Sequence, residues 1–218
     1  MAGPLILRAA RPVDAAAIAA IYAPYVRDTA ISFESDPPDA AAMADRIAAG
    51  LARQWPWIVA LAGSADDARD GVAERSANRA DGAVLGYAYA GPFHSRHAYR
   101  FMAEPSIYLA PTAHRRGVGK HLYDRLLTIL TELGYRQATA LIALPNPASV
   151  ALHERCGFIA TGTLQQSGLK FGQWVDVGLF QRPLGMGGDT PPQADPLPLS
   201  NSACWMALQG RDSREASG

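Results

Sequence analysis

The residue types in this chain that can do chemistry gather at the fronts of two helix-patterned stretches. The first is "AHRRGVGKHL" (113–122), where Arg115, Arg116 and Lys120 surround Gly117 and Gly119. The first turn of a helix has backbone N–H groups without intrahelical partners, and the macrodipole makes that end attractive to anions. Glycine lets an anion approach the backbone closely. Val118, Leu122, Leu126, Ile129, Leu130 and Leu133 recur at helical spacing. They predict a helix anchored in a core, with its N-terminus aimed at a pyrophosphate-sized anion. The same residues also suit an ordinary basic turn. Two familiar phosphate loops are excluded. A P-loop needs Gly-Lys-Ser/Thr, but Gly119-Lys120 is followed by His121; a dinucleotide fingerprint needs a third glycine where Leu122 stands.

The second stretch, "LPNPASVALHERCGF" (144–158), turns at Pro145 and offers Asn146 as a helix cap with Pro147 at the first helical position. Ser149 and His153 follow at three and seven residues, so all three fall near one helix face. Taken singly, each has an ordinary reading as a cap, a solvated hydroxyl and a packed ring.

The elements that must position these residues follow from pattern. Strands are expected at "LILRAA", "WPWIVALA", "AVLGYAYAGPF", "EPSIYLAP", "QATALIAL", "FIATGTLQQ" and "QWVDVGLFQRPL". Helices are expected at "VDAAAIAAIYAPYVRD", with Asp14 as N-cap and Pro24 as a kink or early end, and at "PPDAAAMADRIAAGLARQ". "AISFES" between them reads as a short extended piece. The order gives a mixed α/β sheet. Gly63 to Gly82 reads as an enlarged hairpin loop within a domain spanning 1–184, and residues 185–218 as a largely disordered tail. Its island "ACWMAL" is a candidate to dock on the domain or on a partner.

Composition bounds the function. Of 218 residues 49% are apolar, and 20 basic residues balance 20 acidic ones, so an anion site must be local and no nucleic-acid or membrane surface is expected. Cys156 and Cys204 stand far apart, without metal spacing. No segment approaches the roughly 20 apolar residues of a membrane span, and the expectation is a cytoplasmic protein without a metal.

Together the two stretches resemble the GNAT superfamily of acetyl-CoA-dependent N-acetyltransferases. "HRRGVG" matches its pyrophosphate loop, with His114 in place of the usual Gln or Arg. Asn146, Ser149, His153 and Gly157-Phe158 match its second motif, His153 standing where many members carry a tyrosine general acid. The nearest resemblance is to the phosphinothricin and methionine sulfone/sulfoximine acetyltransferase branch. It runs over roughly residues 5–184 through "ISFES", "GYAYAGPF", "RHAYRFMAEPSIYLAP" and "GLKFGQWVDVGLFQ".

The resemblance implies a single GNAT-type domain, with a mostly antiparallel sheet splayed in the middle and about four flanking helices. It implies a homodimer and acetyl transfer to the α-amine of a small amino-acid-like substrate. That transfer needs a base for the amine, a donor for the oxyanion and a proton for the leaving thiolate. The implied base is Glu104. Backbone groups of Ile107, Tyr108 and Leu109 would meet the pantetheine arm, the Leu109 N–H would serve the oxyanion, and His153 or a water would protonate the thiolate. His114, Arg115, Arg116, Gly117, Val118, Gly119 and Lys120, with Asn146 and Ser149, would hold the cofactor. Arg96 suits a carboxylate or phosphinate, with Phe33, Tyr99, Phe101, Lys170 and Trp174 around the acceptor. Two rivals stay open. A protein N-terminal or lysine acetyltransferase would want an open acidic or extended groove where this chain has an Arg/aromatic cluster. A non-catalytic acetyl-CoA sensor would have no need of Glu104.

Overall fold

A computed structural model describes residues 4–63, 82–185 and 192–210. Seven strands form one sheet in the order β1-β2-β3-β4-β5-β7-β6: β1 (Leu5–Ala9), β2 (Trp57–Ala62), β3 (Val84–Pro92), β4 (Met102–Leu109), β5 (Gln137–Leu144), β6 (Ile159–Lys170) and β7 (Gln173–Pro183). Every pairing is antiparallel except β4 with β5, which run parallel and pair only at Met102↔Gln137 and Ala103↔Ala138. Beyond Ala103 the two strands part, and the sheet opens in the middle as the resemblance implies.

One face of the sheet carries α1 (Ala15–Arg27) and α2 (Ala40–Ala52), which bury Ile18, Tyr22, Val26, Met43 and Ile47 against Trp57, Val59 and Tyr87. The other carries α3 (Val118–Glu132), whose Leu122, Leu126, Ile129 and Leu130 are fully buried. A shorter helix, α4 (Pro147–Arg155), follows β5.

Several local expectations are corrected. Asp14 makes no side-chain cap on α1; its carboxylate instead takes both Arg8 guanidinium nitrogens at 2.6 and 2.7 Å in a buried pair. Pro24 neither kinks the chain out of helix nor ends it early, since α1 runs on to Arg27. The 30–35 segment, read as a short extended piece, lies outside the strand ladders. The loop expected between Gly63 and Gly82 lies outside the described residues, apart from those two glycines. The tail was expected to be largely disordered, yet its residues 192–210 fold onto the domain. There α5 (Ala203–Leu208) buries Cys204, Trp205 and Leu208 in the core under α3. Ser202 caps α5 and donates to Glu132 on α3 at 2.6 Å. The ACWMAL island thus docks on its own domain.

Candidate active site

The parting of β4 from β5 leaves backbone groups of β4 without a partner strand, and ladder parity tells which. The Pro105 carbonyl lies 3.4 Å from the Tyr123 hydroxyl of α3, so that carbonyl turns away from β3. Alternation then turns Ile107 and Leu109 the same way, while Tyr108 pairs with Tyr87 of β3. Of the three residues expected to offer backbone to the pantetheine arm, Ile107 and Leu109 face the gap and Tyr108 does not. Its ring instead joins Tyr22, Tyr25 and Tyr87 in an aromatic cluster. The Tyr25 hydroxyl donates to the Leu109 carbonyl at 2.7 Å and accepts from the Leu109 N–H at a long 3.4 Å. That N–H was the expected oxyanion donor, and its present partner is a weak competitor. Tyr25 went unrecognised in the sequence because it reads as one more apolar residue on α1.

Glu104 lies opposite Gly91 of β3, on the α1/α2 face of the sheet by strand alternation. It is half-buried, and burial raises its pKa above the ordinary carboxylate value. A carboxyl in that condition is a better base than a solvated one.

Past β4 the chain makes a short turn and enters α3 through Gly117, which is left-handed at φ 81° and leaves the first turn without a side-chain cap. His114, Arg115, Arg116 and Gly117 are exposed around it. Arg116 donates to the Thr112 carbonyl at 3.2 Å, and Lys120 pairs with Asp124 at 2.6 Å. His114 stands 3.3 Å from the Tyr25 hydroxyl. The two glycines divide the work. Gly117 supplies the left-handed turn, whereas a Cβ on Gly119 would come within 3.1 Å of Leu152 and 3.2 Å of Leu109. Gly119 therefore brings α3, α4 and the end of β4 together. An uncapped helix N-terminus ringed by exposed cations fits the diphosphate of a nucleotide cofactor.

The second motif closes on itself. Asn146 caps α4 by accepting from the Ser149 N–H at 3.1 Å. His153 Nδ1 lies 2.8 Å from the Ser149 carbonyl and so carries a proton, which leaves Nε2 to accept from the Tyr123 hydroxyl at 2.8 Å. His153 is 3% exposed, and burial holds its pKa below the ordinary histidine value. It is a neutral ring behind Tyr123, so direct protonation of a thiolate from His153 is not what this arrangement offers; the hydroxyl in front of it is Tyr123, which the sequence reading missed as a core residue of α3. Gly157, left-handed at φ 83°, ends α4 and turns Phe158 back against both Tyr123 and His153.

The expected acceptor residues fall into two groups. Phe33 rests on Gly168 of β6, and Lys170 donates to the Glu34 carbonyl, so the 30–35 loop is tied to the β6–β7 hairpin. This bond occupies the Lys170 ammonium, which is buried rather than presented to a ligand. Trp174 is 62% exposed. The other group lies in the turn before β4. Tyr99 contacts Phe93 and His94, Arg100 covers the Phe101 ring, and Arg96 lines a cavity with His94 and Arg100. A separate cavity of about 300 Å³ between α2 and β3, walled by Arg46, Trp57 and Tyr89, was not foreseen. Among the described residues no group of three potential metal ligands occurs, and no helix is long and apolar enough to cross a membrane.

A sheet opened between β4 and β5, with an anion-ready helix start at its mouth, is the shared frame of one enzyme class. Residues 46–158 match the acetyltransferase (GNAT) family, and the chain belongs to it. It is 41% identical to phosphinothricin N-acetyltransferase of Alcaligenes faecalis over 86% of this chain and 86% of that protein. It is 31% identical to an L-methionine sulfoximine/L-methionine sulfone acetyltransferase of Pseudomonas paraeruginosa, over 80% of this chain and 92% of that one. The crystal structure of a GNAT superfamily phosphinothricin acetyltransferase from Sinorhizobium meliloti, in complex with AcCoA, superposes with a TM-score of 0.76 at 38% identity. It covers 90% of this chain and 97% of that chain. The chain is an N-acetyltransferase that moves acetyl to an amine.

Proposed function

We propose that the protein transfers acetyl from acetyl-CoA to the α-amine of a small amino-acid-like acceptor, of the kind named for its phosphinothricin and methionine sulfoximine/sulfone relatives, with Glu104 as general base. The observation that carries this reading is the half-buried Glu104, raised in pKa, three residues into the strand that lines the sheet opening. Acetyl-CoA supplies an activated acyl group as a thioester. The first turn of α3, with His114, Arg115, Arg116, Gly117, Val118, Gly119 and Lys120, holds its diphosphate. Ile107 and Leu109 offer backbone to the pantetheine arm, and Asn146 and Ser149 fix the start of α4 beside it. Glu104 takes the proton from the acceptor ammonium. Leu109 N–H donates to the carbonyl oxygen as negative charge develops there. Tyr123, backed by His153, returns a proton to the departing sulfur. Phe33, Arg96, Tyr99, Phe101 and Trp174 surround the acceptor, and Lys170 braces the loop that carries Phe33.

The β6–β7 hairpin exposes Ile159, Leu164, Leu169, Phe171 and Trp174, an apolar surface that supports a homodimer. The decisive experiment pairs wild type with Glu104→Gln, using acetyl-CoA and a panel of phosphinothricin, methionine sulfone, methionine sulfoximine and ordinary amino acids. The variant should bind acetyl-CoA normally and lose about 10²–10⁴-fold in kcat, the usual contribution of a general base. Near wild-type kcat at pH 7 would show that the base lies elsewhere.

A further inference from the structure

The parting of β4 from β5 sets Glu104 and one side chain of β5 on either side of the opening. The last paired residues are Met102 with Gln137 and Ala103 with Ala138, in parallel register. Glu104 and Thr139 are the next residue of each strand, so they flank the point where the ladder ends. Residues in register on parallel neighbours share a face, and successive residues alternate. Ala103 and Ala138 belong to the core packed under α3. Glu104 and Thr139 therefore both stand on the α1/α2 side. Paired strands lie roughly 4.7–4.9 Å apart, and the gap widens from that point.

Thr139 is 7% exposed, and its hydroxyl oxygen is buried without a hydrogen-bond partner among the described residues. Ser106, the next residue on the Glu104 face of β4, is by contrast bonded to Tyr89. Gln137, one step back from Thr139 on the same face of β5, also has a buried side-chain oxygen without a partner. An unpaired buried hydroxyl is unfavourable, and valine fills nearly the same space in a strand without one. Packing alone thus gives no reason for threonine here. The position is also rigid, because every residue of β5 pairs with β7, Thr139 with Gln181. An oxygen fixed on a strand beside a carboxylate suits a ligand with several N–H donors.

We infer that Thr139 is a second ligand of the acceptor's amine: its hydroxyl oxygen accepts from one N–H of the ammonium while the Glu104 carboxylate takes another. The inference rests on the acetyltransferase reading and deepens it by naming what grips the reacting nitrogen. Proton transfer to Glu104 turns an ion pair into a neutral amine beside a neutral acid, and the attraction that seated the amine is lost. Thr139 still accepts from a remaining N–H. It keeps the nitrogen at the opening of the sheet after the proton has left.

Calorimetric titration into the full-length protein saturated with CoA reads the inference without turnover. The probes are L-phosphinothricin and its analogue with hydrogen in place of the amino group. Thr139→Val should weaken phosphinothricin binding roughly tenfold to hundredfold, the worth of one hydrogen bond to a charged group, and leave the des-amino analogue unchanged. Thr139→Ser, which keeps the hydroxyl, should restore wild-type binding. The thermal midpoint of Thr139→Val should match or exceed that of wild type, whereas a hydroxyl that serves the fold would lower it. Wild-type affinity for phosphinothricin in Thr139→Val, equal loss of both probes, or a lowered midpoint overturns the inference. If Glu104→Gln loses kcat while Thr139→Val binds like wild type, the transfer reading stands and this inference alone falls. If wild type binds neither probe, the proposed acceptor class falls and takes the inference with it.

Discussion

The Tyr123 hydroxyl lies 2.8 Å from His153 Nε2 and 3.4 Å from the Pro105 carbonyl, bridging α4 to the open edge of β4. Because Nδ1 of the ring is committed to the Ser149 carbonyl, the hydroxyl proton points at Nε2. To protonate a departing thiolate, Tyr123 must turn that proton from Nε2 to the sulfur, and solvent then restores it, since Nε2 has no proton to return. Tyr123→Phe should therefore reduce kcat toward the 10²–10⁴-fold loss typical of a missing acid. Leaving Nε2 without its donor should cost about 1–3 kcal/mol of stability. A variant with full kcat below its melting temperature would reduce the pair to a packing contact.

Glu104 makes a second prediction, of the opposite sign from most carboxylates. Burial raises its folded pKa, so the folded state keeps a proton where the unfolded chain has lost it. Stability contributed by this group falls as pH rises from the ordinary glutamate value through the raised folded value, and above it the buried charge is a cost. Glu104→Gln should melt higher than wild type at pH 7, and the gap should close in acid below both values. Comparing melting curves across that pH range checks it. The rate of the wild type should fall on the acid side with an apparent pKa above that of a free glutamate.

The two motifs were legible because their logic is local. An uncapped glycine turn before an apolar-patterned helix, and an Asn-Pro start with Ser and His on one face, are fixed by a few neighbouring residues. What stayed hidden was set by distant contacts. Tyr123 reads as core because it falls among the buried apolar positions Val118, Leu122, Leu126 and Leu127 of α3; its hydroxyl matters only once α4 is laid beside it. Arg8 sits in a strand pattern that announces burial, and nothing adjacent reveals that Asp14 will meet it. The tail misled for a related reason. Its Gly and Pro clusters carry no periodicity, while the burial of Trp205 and the Ser202–Glu132 bond depend on a surface of α3 more than sixty residues upstream.

The Arg8–Asp14 pair yields a third prediction. Burial works to raise the Asp14 pKa, but the two Arg8 hydrogen bonds, the Arg11 N–H and the charges of both arginines outweigh it and hold the carboxyl below its ordinary value. Its folded pKa is depressed, so its contribution is present above the unfolded value and is lost as pH falls through the folded one. Asp14→Asn leaves a buried guanidinium without its counter-charge. It should destabilise by about 3–5 kcal/mol at pH 7. Urea denaturation at pH 7 and again in acid should show that penalty shrinking as the wild-type carboxylate is protonated.

The contact between Phe33 and Gly168 gives the last prediction, and it separates acceptor binding from stability. A Cβ built on Gly168 would clash with the edge of the Phe33 ring, at its Cζ. The ring is the far end of a flexible side chain and is already 44% exposed, so it can swing clear with little loss of buried surface. Gly168 does not occupy the left-handed region, so alanine meets no backbone strain there. Gly168→Ala should therefore change stability by no more than about 0.5 kcal/mol, the usual range for a surface site. The Lys170 bond to the Glu34 carbonyl holds the loop itself in place, so the change is confined to the ring. If Phe33 walls the acceptor site, the KM for the amino-acid acceptor should rise while the KM for acetyl-CoA, bound at the α3 turn, stays unchanged. An unaltered acceptor KM, measured alongside Phe33→Ala with the same result, would remove Phe33 from the acceptor site.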